Sequence, residues 1–171
     1  LDYIIFRPHN VYGPKQNIGD RYRNVVRIFM NQILQGRPMT IFGDGTQTRA
    51  FTCVDDVAPV MAEAIDVPTA WNQVFNIGAD VPCSLNELAE RVAGAMGAPA
   101  EVRHVPPRAE VHDAHSSHDK LRRVFGPRAA TPLADGVGRM AAWVRERGPR
   151  TSQAFTGIEI ERDLPEVWRR G

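Results

Sequence analysis

Two stretches decide how this chain is read: RPHNVYGP, from Arg7 to Pro14, and GDGTQTRAFTCVDD, from Gly43 to Asp56. The first ends a short apolar run, Asp2 to Phe6, in a polar loop punctuated by Gly and Pro, the pattern of a buried strand that stops at Pro8. The second is a glycine turn, Gly43-Asp44-Gly45, followed by an arginine-bearing strand and a helix that opens on two aspartates, an order suited to holding a phosphate group. Around these stretches, strand-like and helix-like segments alternate, which is the signature of an α/β protein.

Working outward, Val26, Phe29, Met30 and Ile33 recur at helical spacing and predict an amphipathic helix that Gly36 ends, after a loop from Val11 to Asp20. Pro38 to Phe42 and Thr48 to Cys53 predict two strands joined as a hairpin around the glycine turn. The helical period returns at Val57, Val60, Met61, Ala64 and Ile65, with Asp55 or Asp56 as cap and Pro59 read as tolerable near the helix start. Val74 to Ile77 predicts a strand. Ser84 with Glu87 forms a capping box for a helix carrying Leu85, Leu88, Ala89, Val92 and Met96, and Gly97 stops it. Beyond it, the expectations are a strand over Ala100 to Val105, a short helix over Ser117 to Phe125, a helix over Pro132 to Arg147 capped by Thr131, and a strand near Gly157 to Glu161.

Composition excludes several classes. The 171 residues, 43% hydrophobic and 24% charged, are ordinary for a globular domain. Twenty-one Lys and Arg against 20 Asp and Glu leave a formal charge of +1, too little for a global basic field, so neither nucleic acid nor an anionic membrane is an expected partner. No apolar run is long enough to span a bilayer. Cys53 and Cys83 lack metal-ligand spacing and form no disulfide framework, which fits a cytoplasmic location, and Cys53 reads as a small core residue. His112, His115 and His118, with Asp113 and Asp119, invite a metal reading. Three-residue steps do not converge the outer imidazoles on a helix, so this stretch is expected to be a solvated loop with no metal. Arg122-Arg123 and Arg145 to Arg150 read as solvated helix faces and ends.

Asn10 falls just past the first strand, where open α/β sheets place ligands, and its amide can donate and accept; an Asx turn explains it equally well. Arg49 and Phe51, two apart on a strand, are expected to share a face, a guanidinium beside an aromatic platform.

The strings RPHNVYGP, IFGDGTQTRAF, VDDVA and FNIG, with the looser PPRAEVH and DKLRRVFG, resemble the extended short-chain dehydrogenase/reductase family, specifically the carboxyl-terminal part of its NAD-dependent sugar epimerases and dehydratases of the UDP-glucose 4-epimerase type. The resemblance implies the end of a Rossmann-type sheet over residues 1–36, a small α/β substrate-binding domain over residues 37–148 and a tail over residues 149–171. It implies that Pro8, His9 and Asn10 border the nicotinamide of NAD, with Asn10 also near the substrate diphosphate. Ile41, Phe42 and Gly43 would flank the base of a UDP-sugar, Arg49 would bind its diphosphate with Phe51 close by, and Arg108 with Glu110 would grip phosphate and ribose from the other side. Ala50, Ala109 and Ser117 depart from the usual Asp, Gly and Asp of that pattern; Ser117 caps a helix as well as Asp does.

The family's chemistry uses a Gly-rich turn for NAD and a Tyr-x-x-x-Lys pair for proton exchange, and this sequence contains neither, so no catalytic residue is assigned. The chain therefore reads as a fragment whose catalytic half lies upstream, with an exposed first strand that invites association and a homo-oligomeric complete enzyme implied by the resemblance. Three functions remain open: the substrate-binding portion of a UDP-sugar 4-epimerase, the same portion of a nucleotide-sugar dehydratase or decarboxylase, and a non-catalytic module that binds nucleotide sugar or a partner.

Overall fold

A computed structural model of the chain describes residues 1–19 and 24–151. The strand expected near Gly157 to Glu161 lies outside the described residues. The chain is mixed α/β, and its described residues form four small sheets and two apolar clusters.

The larger cluster is built by three helices over one sheet. Helix α1 (Val25–Leu34) turns Val26, Phe29 and Met30 inward, and its Asn24 cap accepts a hydrogen bond from the Val26 amide at 3.0 Å. Strand β3 (Met39–Phe42) pairs in parallel with β8 (Val102–Val105) and buries Met39 and Ile41 on alternate positions. Helix α3 (Leu85–Met96) has the expected reciprocal Ser84/Glu87 capping box and ends on Gly97 in the left-handed conformation. Helix α5 (Leu133–Arg147) packs Val137, Met140, Ala141 and Val144 against α1 and α3.

The smaller cluster joins β1 (Ile4–Pro8) and its parallel partner β6 (Gln73–Ile77) to α2 (Val54–Glu63) and α4 (Asp119–Phe125). Phe75 carries this contact, stacked on Phe6 at 5.8 Å and edge-on to Phe125 at 5.3 Å.

Several expectations are corrected. The first strand is half-exposed rather than buried, with Tyr3 at 49% and Ile5 at 47%, because β6 is its one partner among the described residues; one-sided pairing also lets Pro8 stay in the strand. The loop after it contains a two-residue strand, β2 (Val11–Tyr12), paired with β5 (Thr52–Cys53). No hairpin forms around the glycine turn. Gly43 and Gly45 both take positive φ, Asp44 Oδ1 accepts from the Thr46 amide at 3.0 Å, and Asn86 at the start of α3 holds the turn through the carbonyls of Asp44 and Gly45. The chain leaves β3 in a new direction, so β4 (Thr48–Ala50) lies between antiparallel β7 (Pro82–Ser84) and parallel β9 (Asp113–Ala114) instead. The run from Thr48 to Cys53 is also interrupted at Phe51.

Neither Asp55 nor Asp56 caps α2; Cys53 holds that position, and Pro59 sits beyond the first turn. Asp56 is engaged elsewhere, accepting from the amide and hydroxyl of Thr131 at 2.9 and 2.7 Å. That pair explains why Thr131 does not cap α5 and Pro132 flanks it instead. Met61 and Ile65 are exposed, although they continue the apolar period of α2. The helix expected from Ser117 begins at Asp119, and the Ser117 hydroxyl accepts from the Asp119 amide at 3.2 Å.

Gly136 sets how closely α5 approaches β2. A Cβ there would run into the hydroxyl and ring of Tyr12, which is itself buried. Gly136→Ala is therefore expected to lower stability by about 1–3 kcal/mol through overpacking, although alanine is the better helix former by about 1 kcal/mol. Urea unfolding checks this; a Gly136→Ala protein as stable as the parent would show that Tyr12 can move aside.

Candidate nucleotide-sugar site

The glycine turn, β4 and the segment after β8 meet at one edge of the molecule. Glu110 is the centre of this meeting. Its Oε2 accepts from Arg108 Nε and Nη2 at 3.1 and 2.9 Å and lies 3.5 Å from Arg49 Nη2, while its Oε1 accepts from Gln47 Nε2 at 3.3 Å. The Arg108 guanidinium lies 4.9 Å from the centre of the Phe42 ring. Arg49 donates to the Thr48, His112 and Val111 carbonyls at 2.7, 2.7 and 2.6 Å, which pins the segment before β9 against β4. Two guanidinium groups thus share one carboxylate, which leaves the three side chains with one net positive charge.

Beside this cluster lies an open pocket of about 640 Å³ lined by Gly43, Asp44, His104, Val105 and Pro107. Gly43 has φ of 75° and faces Pro107, and the His104 ring bonds its carbonyl through Nδ1 at 2.8 Å. A flat heterocycle could lie against this backbone without meeting a Cβ.

The strand end contributes from the other side. Asn10 adopts φ of 45° and donates from Nδ2 to the Ala50 carbonyl at 3.0 Å, while its own carbonyl accepts from the Thr52 amide at 3.2 Å. The Thr52 hydroxyl donates to the His9 carbonyl at 3.2 Å and accepts from the Ala79 amide at 2.9 Å. These bonds seat Pro8, His9 and Asn10 beside the strand that carries Arg49.

The structure therefore brings Asn10, Phe42, Gly43, Arg49, Arg108 and Glu110 into one region. It does not bring the side chains of Ile41 and Phe51. Ile41 is 1% exposed and Phe51 5% exposed, both within the larger cluster, so Ile41 has only its backbone for a ligand. The aromatic surface beside a guanidinium comes from Phe42 and Arg108, because the strand breaks at Phe51 and turns that ring inward. Gln47 and His104 were not legible as site residues. Gln47 is nearly buried and ties the Phe42 carbonyl, at 2.8 Å, to Glu110; only its place inside the turn string hinted at a role.

The histidine stretch also differs from expectation. His112 is exposed, bonded to Thr46 and Asp113, but His118 is 2% exposed and belongs to a separate network rather than to a solvated loop. Among the described residues no group of three or more His, Cys, Asp or Glu is placed to hold a metal. Cys53 and Cys83 are buried and their thiols are pushed up by desolvation, Cys83 to about 11, so neither is a poised nucleophile. No helix among the described residues is long and apolar enough to cross a membrane.

Strand ends that meet a glycine turn and two arginines around a carboxylate are the kind of place where open α/β folds bind ligands. The comparisons agree. The profile of the NAD dependent epimerase/dehydratase family matches residues 1–78. A UDP-glucose 4-epimerase of Mycolicibacterium smegmatis is 36% identical over 86% of this chain and 47% of its own length. A UDP-N-acetyl-alpha-D-glucosaminuronate decarboxylase of Bacillus cytotoxicus is 33% identical over 62% of this chain and 32% of its own. Among solved structures, the UDP-glucose 4-epimerase of Thermotoga maritima with UDP-glucose superposes with a TM-score of 0.77 at 31% identity, covering 86% of this chain and 47% of that one. The chain belongs to the NAD-dependent epimerase/dehydratase family, and it spans about half the length of the relatives it matches.

The family cofactor is NAD. Among the described residues no Gly-rich turn opens a helix after a strand, the feature that would hold its diphosphate. The strand end does have one feature of a cofactor border: the Nε2 atom of His9 is buried without a hydrogen-bond partner.

Proposed function

We propose that this chain is the nucleotide-sugar-binding portion of an NAD-dependent UDP-sugar 4-epimerase. The observation that carries the proposal is the convergence of Arg49 and Arg108 on Glu110, with the Phe42 ring beneath one guanidinium and Asn10 beside the strand that bears the other. In this reading the two arginines bind the diphosphate, Glu110 accepts from ribose hydroxyls, and the Phe42-Gly43 backbone with the adjoining pocket receives the base. Ile41 contributes backbone only, and Phe51 supports β4 from the core. Pro8, His9 and Asn10 border the nicotinamide. Residues 1–36 supply the end of the dinucleotide-binding sheet, residues 37–148 the substrate-binding part, and residues 149–171 a tail. The complete enzyme would be a homo-oligomer.

A dehydratase or decarboxylase of the same family is the second reading, supported by the decarboxylase among the relatives. Product analysis with the complete enzyme separates the two. These residues alone are expected to be inactive, because none of Tyr3, Tyr12 and Tyr22 has Lys four residues later.

Calorimetric titration with UDP-glucose, UDP and NAD tests the proposal. Binding of both UDP compounds without binding of NAD is the expected result. Failure of both UDP compounds to bind, by a chain shown to be folded, would overturn it as a statement about these residues.

A further inference from the structure

His9, partly buried, and His118, buried, form a stacked pair, and His118 has no part in the ligand contacts proposed above. Their rings stack at 5.1 Å between centroids and 13° between planes. His9 rests directly on Gly78, where a Cβ would collide with the imidazole, and its Nε2 is buried without a partner. His118 is held from two sides: Nδ1 lies 2.7 Å from Asp80 Oδ1, and Nε2 lies 3.2 Å from the Ser116 hydroxyl, which is itself 3.5 Å from His9 Nδ1. Asp80 also pairs with Arg122, at 2.7 Å, and Arg122 pairs with Asp119 as well. The strand end of β1, the turn after β6 and the start of α4 are thereby tied through two imidazoles.

We propose that His118, anchored by Asp80, is a positioning residue that clamps the His9-Asn10 strand end, and that the clamp holds only while the stacked pair carries no more than one proton. Asp80, the carboxylate that favours a proton on His9, is already engaged by His118 and Arg122, and so offsets a second proton on the pair only in part. Two stacked imidazolium ions at 5.1 Å would repel, with His118 itself buried from water. Burial, and then the neighbouring His118, hold the His9 imidazole below its usual range, in keeping with the geometry. The sign follows: an imidazole depressed in the folded state contributes stability above its ordinary value near 6.5 that is lost as pH falls toward the depressed value. The consequence for ligand binding rests on the proposed role of the strand end, but the clamp itself does not.

The test compares the parent chain with His9→Phe, which keeps a ring on His118 and removes the titrating group. Urea unfolding of each is followed from pH 7.5 to 5. The parent is expected to lose up to tenfold in its folding constant per pH unit below about 6.5 beyond whatever loss His9→Phe shows. Equal pH dependence in the two proteins would overturn the clamp. Imidazole nitrogen NMR of the parent gives a measurement that survives a poorly folding variant: His9 should titrate below its ordinary value near 6.5, whereas an ordinary titration near 6.5 would also overturn it. UDP-glucose titration of the parent at pH 7.5 and 5.5 separates the two proposals. A shared loss of affinity and stability on the acid side extends the clamp to the site. No binding at either pH, with the His9-specific loss of stability present, sinks the assigned function and leaves the clamp standing.

Discussion

Replacement of Phe29 by alanine should cost the chain about 3–5 kcal/mol of stability, the range for truncating a fully buried aromatic side chain. Phe29 is fully buried, in the cluster where α1 meets α3, α5 and the β3–β8 sheet. Its ring lies between regular elements that are fixed by other contacts, so little collapse can refill the space. A domain of this size has about 5–15 kcal/mol in total, and the loss would remove a large part of it. With a urea slope of about 1–3 kcal/mol per molar, the midpoint should fall by roughly 1–5 M, about 2 M at the middle of both ranges. Met61→Ala provides the contrast: its side chain is half-exposed, and the change should stay within about 0.5 kcal/mol. Equal effects of the two substitutions would show that the α1–α3–α5 cluster is not the stabilising core.

Arg49→Ala should weaken UDP-glucose binding by tenfold to a hundredfold, the equivalent of losing one or two charge-assisted hydrogen bonds at about 1.5 kcal/mol each. The guanidinium has two duties, which must be separated. It holds the carbonyls of Val111 and His112, so its loss also loosens the segment that carries Glu110. Arg49→Lys keeps the charge but not the planar fork, and it should recover only part of the affinity. Unfolding of both variants alongside titration distinguishes a lost ligand contact from a loosened segment. Unchanged affinity in a folded Arg49→Ala protein would remove Arg49 from the site.

Elements governed by one local rule are legible from the residues alone. Ser84 with Glu87 and Gly97 marked both ends of α3, because caps and left-handed stops are satisfied within a few residues of chain. The period of Val26, Phe29, Met30 and Ile33 marked α1 for the same reason. The strings around Asn10, Gly43 and Arg49 pointed to a nucleotide-sugar family and to the region where its candidate site lies. Tertiary structure decided what depends on partners far along the chain. Pairing of β3 with β8, sixty residues away, replaced the hairpin that the Gly-Asp-Gly turn suggested, since Asn86 draws the turn toward α3. Asp56 bonds Thr131 instead of capping α2, a choice between two acceptable hydrogen bonds that only the approach of α5 could settle. Alternation placed Arg49 and Phe51 on one face, but the break at Phe51 left one beside Glu110 and the other in the core. The stacking of His9 on His118 was invisible for the same physical reason: two loops more than a hundred residues apart must be brought together before either imidazole has a neighbour.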